Sequence, residues 1–71
     1  MARYTVNDIE KAWEIVLEGF EVSMYEDESE QYRRVWLSED PTPVIKVVED
    51  LIAATVTLFV NGTATKQVEV W

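Results

Sequence analysis

An acidic pattern is the most distinctive chemical feature of the chain. Three glutamates follow one another at four-residue intervals, and a second acidic stretch begins eight residues after the last of them. On a helix, the four-residue spacing places carboxylates in a row, about 6 Å apart along the axis. This row resembles the charges along a nucleic-acid strand, although a solvated helix face is the alternative. We call both stretches together the acidic track: Glu10, Glu14, Glu18, Glu26, Asp27, Glu28 and Glu30.

The residue types available for catalysis are few. The chain has no His and no Cys, so the commonest general base and metal ligand, disulfides and thiolate metal ligands are all missing. Tyr, Lys, Ser and carboxylates remain, but no pair of them is spaced to share a proton. The acidic stretch at 26–30 lacks the glycine and the distal glutamate of a calcium loop. We therefore expect no enzyme activity, no cofactor and no metal site.

Charge and composition restrict the class of partner. Fourteen acidic residues against six basic ones give a net charge of −8, which repels nucleic acid and anionic membranes. Improved solubility is the commoner explanation of such a charge, and a protein partner with a basic surface is the more specific alternative. Seventy-one residues form a single domain, 1–71. Because no apolar run is long enough to span a membrane and no leader is recognisable, we expect a cytoplasmic protein.

A helix is predicted to begin at Thr5. Thr5 and Asp8 have the spacing of a capping box, and Gly19 has the residue type of a left-handed helix end. Lys11, Glu14 and Glu18 fall on the opposite side from the apolar positions. The apolar stripe predicted to face the core is Val6, Ile9, Trp13, Val16 and Phe20.

Asn61-Gly62 separates two alternating runs and predicts a hairpin. A two-residue turn would place the valines of the second strand on the threonine side of the first. A three-residue loop with a bulge at Gly62 shifts the register by one, and we expect this form because it sends the valines inward. Lys66 is then the misfit, with its amine in water at the rim. The predicted inward set is Val56, Leu58, Ala64, Val68 and Val70.

The middle of the chain predicts a hairpin and a second helix. Residues 20–25 alternate as a strand with Phe20, Val22 and Met24 inward, residues 26–30 form an acidic loop, and residues 32–37 return. After the proline-containing segment 38–43, an apolar stripe at helical spacing predicts the second helix, with Glu49 facing water. A strand at 43–48 is the alternative, because β-branched residues disfavour helices. The residues of the helical stripe are Val44, Val47, Val48 and Leu51.

These elements predict a two-layer α+β domain in the order α-β-β-α-β-β. Its four-stranded antiparallel sheet carries both helices on one face, with a short N-terminal edge strand at residues 2–4 as an option. The other face stays open and is unusually rich in aromatic residues. Its candidate binding residues, called here the open-face set, are Tyr25, Tyr32, Arg34, Trp36, Phe59 and Trp71.

Two hypotheses for function follow from the two surfaces. The acidic track predicts a small inhibitor or adaptor that docks on a basic protein, in particular one that itself binds nucleic acid. The open-face set predicts a homodimer or partner interface, unless its aromatic pairs only stabilise the sheet. A designed or orphan domain without a partner is the third alternative.

In size, acidity and α+β composition the chain resembles small phage-encoded inhibitors of nucleases. Residues 25–29 and 37–41 also resemble, locally, the hairpin region of uracil-DNA glycosylase inhibitor. That resemblance covers a few acidic and turn residues and includes no counterpart of the inhibitory edge strand, so it implies no function for this chain.

Overall fold

The computed structural model describes residues 5–39 and 44–70, and in this part of the chain one helix is followed by five strands. The strands form a single antiparallel sheet in which each strand pairs with the next. The predicted α+β class is confirmed, whereas the prediction of four strands and two helices is wrong. The predicted edge strand at residues 2–4 lies outside the described residues. The elements are α1 (Val6–Val16), β1 (Met24–Ser29), β2 (Arg33–Ser38), β3 (Ile45–Asp50), β4 (Thr55–Val60) and β5 (Thr63–Glu69).

Helix α1 begins where the capping pattern predicts. The backbone N–H of Thr5 donates to Asp8 Oδ2 (2.8 Å), and the N–H of Asp8 donates to Thr5 Oγ1 (3.3 Å). These reciprocal bonds satisfy two amide groups that a helix start leaves without partners. Gly19 has a φ of +90°, the left-handed conformation expected just after the helix. The core side of α1 differs slightly from the predicted stripe, because Val6 and Phe20 are exposed and Ala12 is buried.

The end of α1 is completed from another part of the sheet. The last turn of the helix contains no basic residue of its own. Lys66 of β5 instead donates from Nζ to the carbonyl oxygen of Ile15 (2.9 Å). A cation at this end interacts favourably with the partial negative charge of the helix C-terminus. Lys66 therefore lies on the helix side of the sheet, as predicted, but its amine binds the helix rather than water alone.

The predicted second helix is instead the central strand β3. This strand pairs with β2 on one side and with β4 on the other, so its backbone groups are satisfied by two ladders. Ile45, Val47 and Glu49 point toward α1 and are almost completely buried. The β-branched residues that weakened the helix prediction are good strand formers in such a position. The strand alternative at 43–48 was therefore the better interpretation.

The Asn-Gly hairpin is confirmed, but its turn is not the predicted bulged loop. Val60 pairs with Thr63, and both turn residues have positive φ, +51° at Asn61 and +84° at Gly62. These are the features of a two-residue type I′ turn. Further along, Phe59 faces Ala64 but Leu58 faces Lys66, so β5 contains one extra residue. This register shift returns the valines of β5 to the predicted side of the sheet. Val68 and Val70 therefore do lie on the helix side, whereas Ala64 does not.

Both edge strands contain irregularities. The predicted acidic loop at 26–30 mostly belongs to β1, whose register shifts between Glu26 and Ser29. Strand β5 contains the shift opposite Leu58 and Phe59. Bulges and charges on edge strands oppose pairing with further chains. Within the described ranges, 5–39 and 44–70, no helix has the length and apolar character needed to cross a bilayer.

Candidate functional site

A buried carboxylate connects the helix to two strands. Glu49 of β3 is only 1% exposed, although the sequence predicted it to face water. Its Oε2 accepts a hydrogen bond from Trp13 Nε1 (2.5 Å), and its Oε1 accepts one from Arg34 Nε (2.5 Å). The Arg34 side chain remains 38% exposed, so it brings a charge from the surface to the buried acid. Burial of Glu49 is tolerated because both of its oxygens have a donor.

Two tryptophans pack beside this group. The rings of Trp13 and Trp36 lie 5.3 Å apart at an interplanar angle of 87°, the edge-to-face arrangement that aromatic pairs favour. Trp36 Nε1 is buried and has no hydrogen-bond partner among the residues that the structure describes. A buried donor without a partner costs about 1–3 kcal/mol. Trp36, which bears this cost, lines the groove described next.

An open groove of about 640 Å³ lies between α1 and the sheet. Its volume falls in the range of about 300–1,000 Å³ that is usual for binding sites. The charged groups at its lining are Glu10, Glu14, Arg34 and Glu49. The apolar and aromatic groups are Val6, Ile9, Trp13, Met24 and Trp36. The groove therefore joins an apolar, aromatic floor to carboxylates.

The structure separates the acidic track into two parts. Glu10 and Glu14 lie on α1 at the groove, whereas Glu18 lies in the turn beyond the helix end. Glu26 pairs with Trp36 across the β1–β2 ladder, which places both side chains on the same face of the sheet. Asp27 and Glu28 follow in β1, and Glu30 lies in the turn before β2. All seven carboxylates are exposed, and none has an ion-pair partner among the described residues.

The open-face set is only partly brought together. Tyr25 and Phe59 do lie on the face away from α1, where Tyr25 pairs with Leu37 and Phe59 with Lys46. Trp36 and Arg34 were placed there wrongly, because they face α1 and contact Trp13 and Glu49. The phase of β2 is therefore opposite to the predicted one, with Val35 and Leu37 away from the helix. Tyr32 is exposed in the β1–β2 turn, and Trp71 lies outside the described residues.

No protein-family model, curated protein or solved structure matches this chain. Within residues 5–39 and 44–70 there is also no group of three acidic side chains that could hold a metal ion.

The sequence prediction missed the groove because it assigned β3 as a helix. Alternation along a strand would have placed Ile45, Val47 and Glu49 on one face. A glutamate in line with two buried aliphatic residues requires a donor from elsewhere in the chain. Arg34 was available for this role, and the pairing would have reversed the predicted phase of β2.

Proposed function

We propose that this chain is a non-enzymatic protein-binding module, a small acidic inhibitor or adaptor that docks on a basic protein surface. The observation that carries the proposal is the exposed acidic track, whose carboxylates have no ion-pair partner within residues 5–39 and 44–70. Unpaired carboxylates on one molecule are free to pair with Lys and Arg on another, which favours association and selects the partner. A protein whose basic surface binds nucleic acid is the partner class that fits best.

Three of the basic residues that the structure describes have contacts outside the acidic track. Arg34 is held by Glu49, and Lys66 donates to the backbone of Ile15. The Nζ of Lys46 lies 5.5 Å from the ring centroid of Phe59, on the other face of the sheet. Like charges four residues apart destabilise a helix by a few tenths of a kcal/mol per pair. The Glu10 and Glu14 pair therefore lowers the stability of α1, a cost that docking on a basic surface would offset.

The test compares two double variants of equal net charge. A partner is first captured from host lysate and identified, and its Kd is then measured with Glu10→Lys/Glu14→Lys and with Glu21→Lys/Glu39→Lys. Each Glu→Lys change adds two charges, so both variants have a net charge of −8 + 4 = −4. Glu21 and Glu39 are exposed and lie outside the acidic track. We expect the track variant to bind at least about tenfold more weakly, and the control to bind nearly as tightly as the original chain.

Ionic strength provides a second measurement on the same complex. Docking through carboxylates should weaken between low and physiological salt, as the screening length falls from about 30 Å to about 8 Å. If both double variants bind equally well, or lose affinity equally, the acidic track is not the docking surface and the proposal fails.

A homodimer through the sheet face away from α1 is the second candidate. Tyr25 and Phe59 lie on this face beside Leu37, and no helix of the described residues covers it. If the dimer forms, Phe59→Ser should convert it to a monomer, because the largest apolar side chain of the face is lost. Thr57→Ser on the same face is the control and should leave the dimer intact. Sedimentation equilibrium checks both, and a chain that is monomeric at every concentration excludes this candidate.

A further inference from the structure

Helix α1 covers only part of its side of the sheet. It packs against β4 and β5. Neighbouring strands lie about 4.8 Å apart, so five strands span about 19 Å from the first axis to the last. A helix with its side chains is about 10 Å wide. Within residues 5–39 and 44–70, the one helix therefore covers about half of this face, and the groove lies over the part that remains.

The uncovered part has an apolar floor between acidic sides. Met24 and Trp36 contribute to the floor, and both are only partly buried. Glu10 and Glu14 stand on the α1 side. Glu26 stands on the side of β1, since it pairs with Trp36. The charged groups at the groove lining, Glu10, Glu14, Glu49 and Arg34, sum to a charge of −2. Because Arg34 is paired with Glu49, this charge comes from Glu10 and Glu14.

We propose that the groove binds one amphipathic helix of a partner protein, with an apolar stripe flanked by Lys or Arg on both sides. This inference rests on the proposed function and names the element that the basic partner presents. Two-layer domains of this kind bury such a sheet face under helices. The partner helix takes the place that a second helix of the chain would occupy.

The geometry sets the form of the bound helix. Packed helices lie about 8–10 Å apart, which places a helix beside α1 over Trp36 and Met24. Apolar residues spaced three and four apart enter the groove, as in other complexes of a helix with a groove. Basic residues on one flank reach Glu10 and Glu14, and those on the other reach Glu26. An acidic amphipathic helix is rejected, because its charges would meet carboxylates on both sides.

The probes are three synthetic peptides of about 18 residues, or five helical turns. The first has leucines at helical spacing and lysines elsewhere. The second has the same composition in scrambled order, and the third has glutamates in place of the lysines. We expect the first to bind and to shift the indole N–H signals of Trp13 and Trp36 in NMR spectra. The scrambled peptide should bind at least about tenfold more weakly, and the acidic peptide should not bind.

Two serine variants distinguish binding in the groove from binding elsewhere on the surface. Val6 is 71% exposed and lines the groove, whereas Ile52 is 78% exposed and lies in the β3–β4 turn outside it. Val6→Ser should weaken binding of the first peptide about fivefold, because it removes apolar contact area. Ile52→Ser should bind like the original chain. Both residues are exposed, so neither change should prevent folding.

Trp36→Phe tests the contribution of the groove floor to binding while keeping an aromatic ring at this position. The change deletes the indole N–H, which lacks a partner in the described part of the chain. The variant should unfold at the same urea concentration as the original chain, or a higher one, because a buried donor without an acceptor is removed. Its affinity for the first peptide should fall at least about threefold, since the floor loses area.

Three results would overturn the inference. The first is equal binding of the ordered and scrambled peptides, the second is unchanged affinity in Val6→Ser, and the third is no binding of the first peptide. If both basic peptides bind equally but lose affinity in Glu10→Lys/Glu14→Lys, the groove is rejected while docking by charge stands. If the natural partner ignores that double variant, the proposed function fails instead.

Discussion

Replacing Glu49 with alanine is expected to lower the free energy of unfolding by about 3 kcal/mol. The change removes the acceptor of both Trp13 Nε1 and Arg34 Nε, which lie at the boundary between the helix and the sheet. Because Arg34 is partly exposed, water can solvate its charge when Glu49 is absent. The loss of stability should therefore be smaller than for a fully buried ion pair. A domain of this size has a total stability of roughly 4–10 kcal/mol. Urea unfolding followed by circular dichroism gives the measurement.

Two further variants separate hydrogen bonding from burial at this site. Glu49→Gln keeps an amide oxygen for one donor and should cost about 1–2 kcal/mol. The double variant Arg34→Met/Glu49→Leu removes both charges together and should be nearly neutral. Glu39→Ala, at an exposed position, is the control for loss of a carboxylate. If Glu49→Ala costs no more than Glu39→Ala, the buried network described for Glu49 does not exist in solution.

Val47→Ala is expected to lower the free energy of unfolding by about 2–3 kcal/mol, whereas Val44→Ala should change it by less than about 0.5 kcal/mol. Val47 is 0% exposed and pairs with Leu58 in the core, while Val44 is 47% exposed just before β3. Truncating Val47 leaves a cavity beneath α1 that the neighbouring side chains cannot fill completely. The urea midpoints of the two variants, each multiplied by its m-value, give the two free energies of unfolding.

This pair of variants also distinguishes a strand from a helix at residues 45–50. In the helix predicted from the apolar stripe, Val44 and Val47 share one buried face and should be equally costly to truncate. Alanine would additionally raise the helix propensity at both positions. Equal effects of the two substitutions would therefore contradict the central strand.

Local features were the ones that could be predicted from the sequence. The capping box of Thr5 and Asp8 forms between residues three apart, and the Asn61-Gly62 turn needs only two residues that tolerate positive φ. The inward direction of Val68 and Val70 was also predicted correctly, because burial requires them on the helix side. This direction results from a type I′ turn followed by a register shift, whereas the prediction was a bulged three-residue loop.

The misplacement of Trp36 shows why the candidate site was harder to predict than the fold class. In β2 both faces contain apolar residues, so alternation alone does not choose between Val35 with Leu37 and Trp36 with Arg34. The choice depends on Glu49 in the next strand, which holds Arg34 toward the helix. Since Glu49 was assigned to a solvated helix face, the pattern of β2 was interpreted in the opposite phase.

By itself, the sequence determined the first helix, the last hairpin, the α+β class and the excess of exposed acid, because each depends on neighbouring residues or on composition. The tertiary structure alone decided that β3 is a strand, which face β2 presents to the helix, and where the groove lies. These outcomes depend on contacts between Glu49 and donors 15 and 36 residues away in the chain. A carboxylate can be buried only where such donors converge, and this convergence exists only in the folded chain.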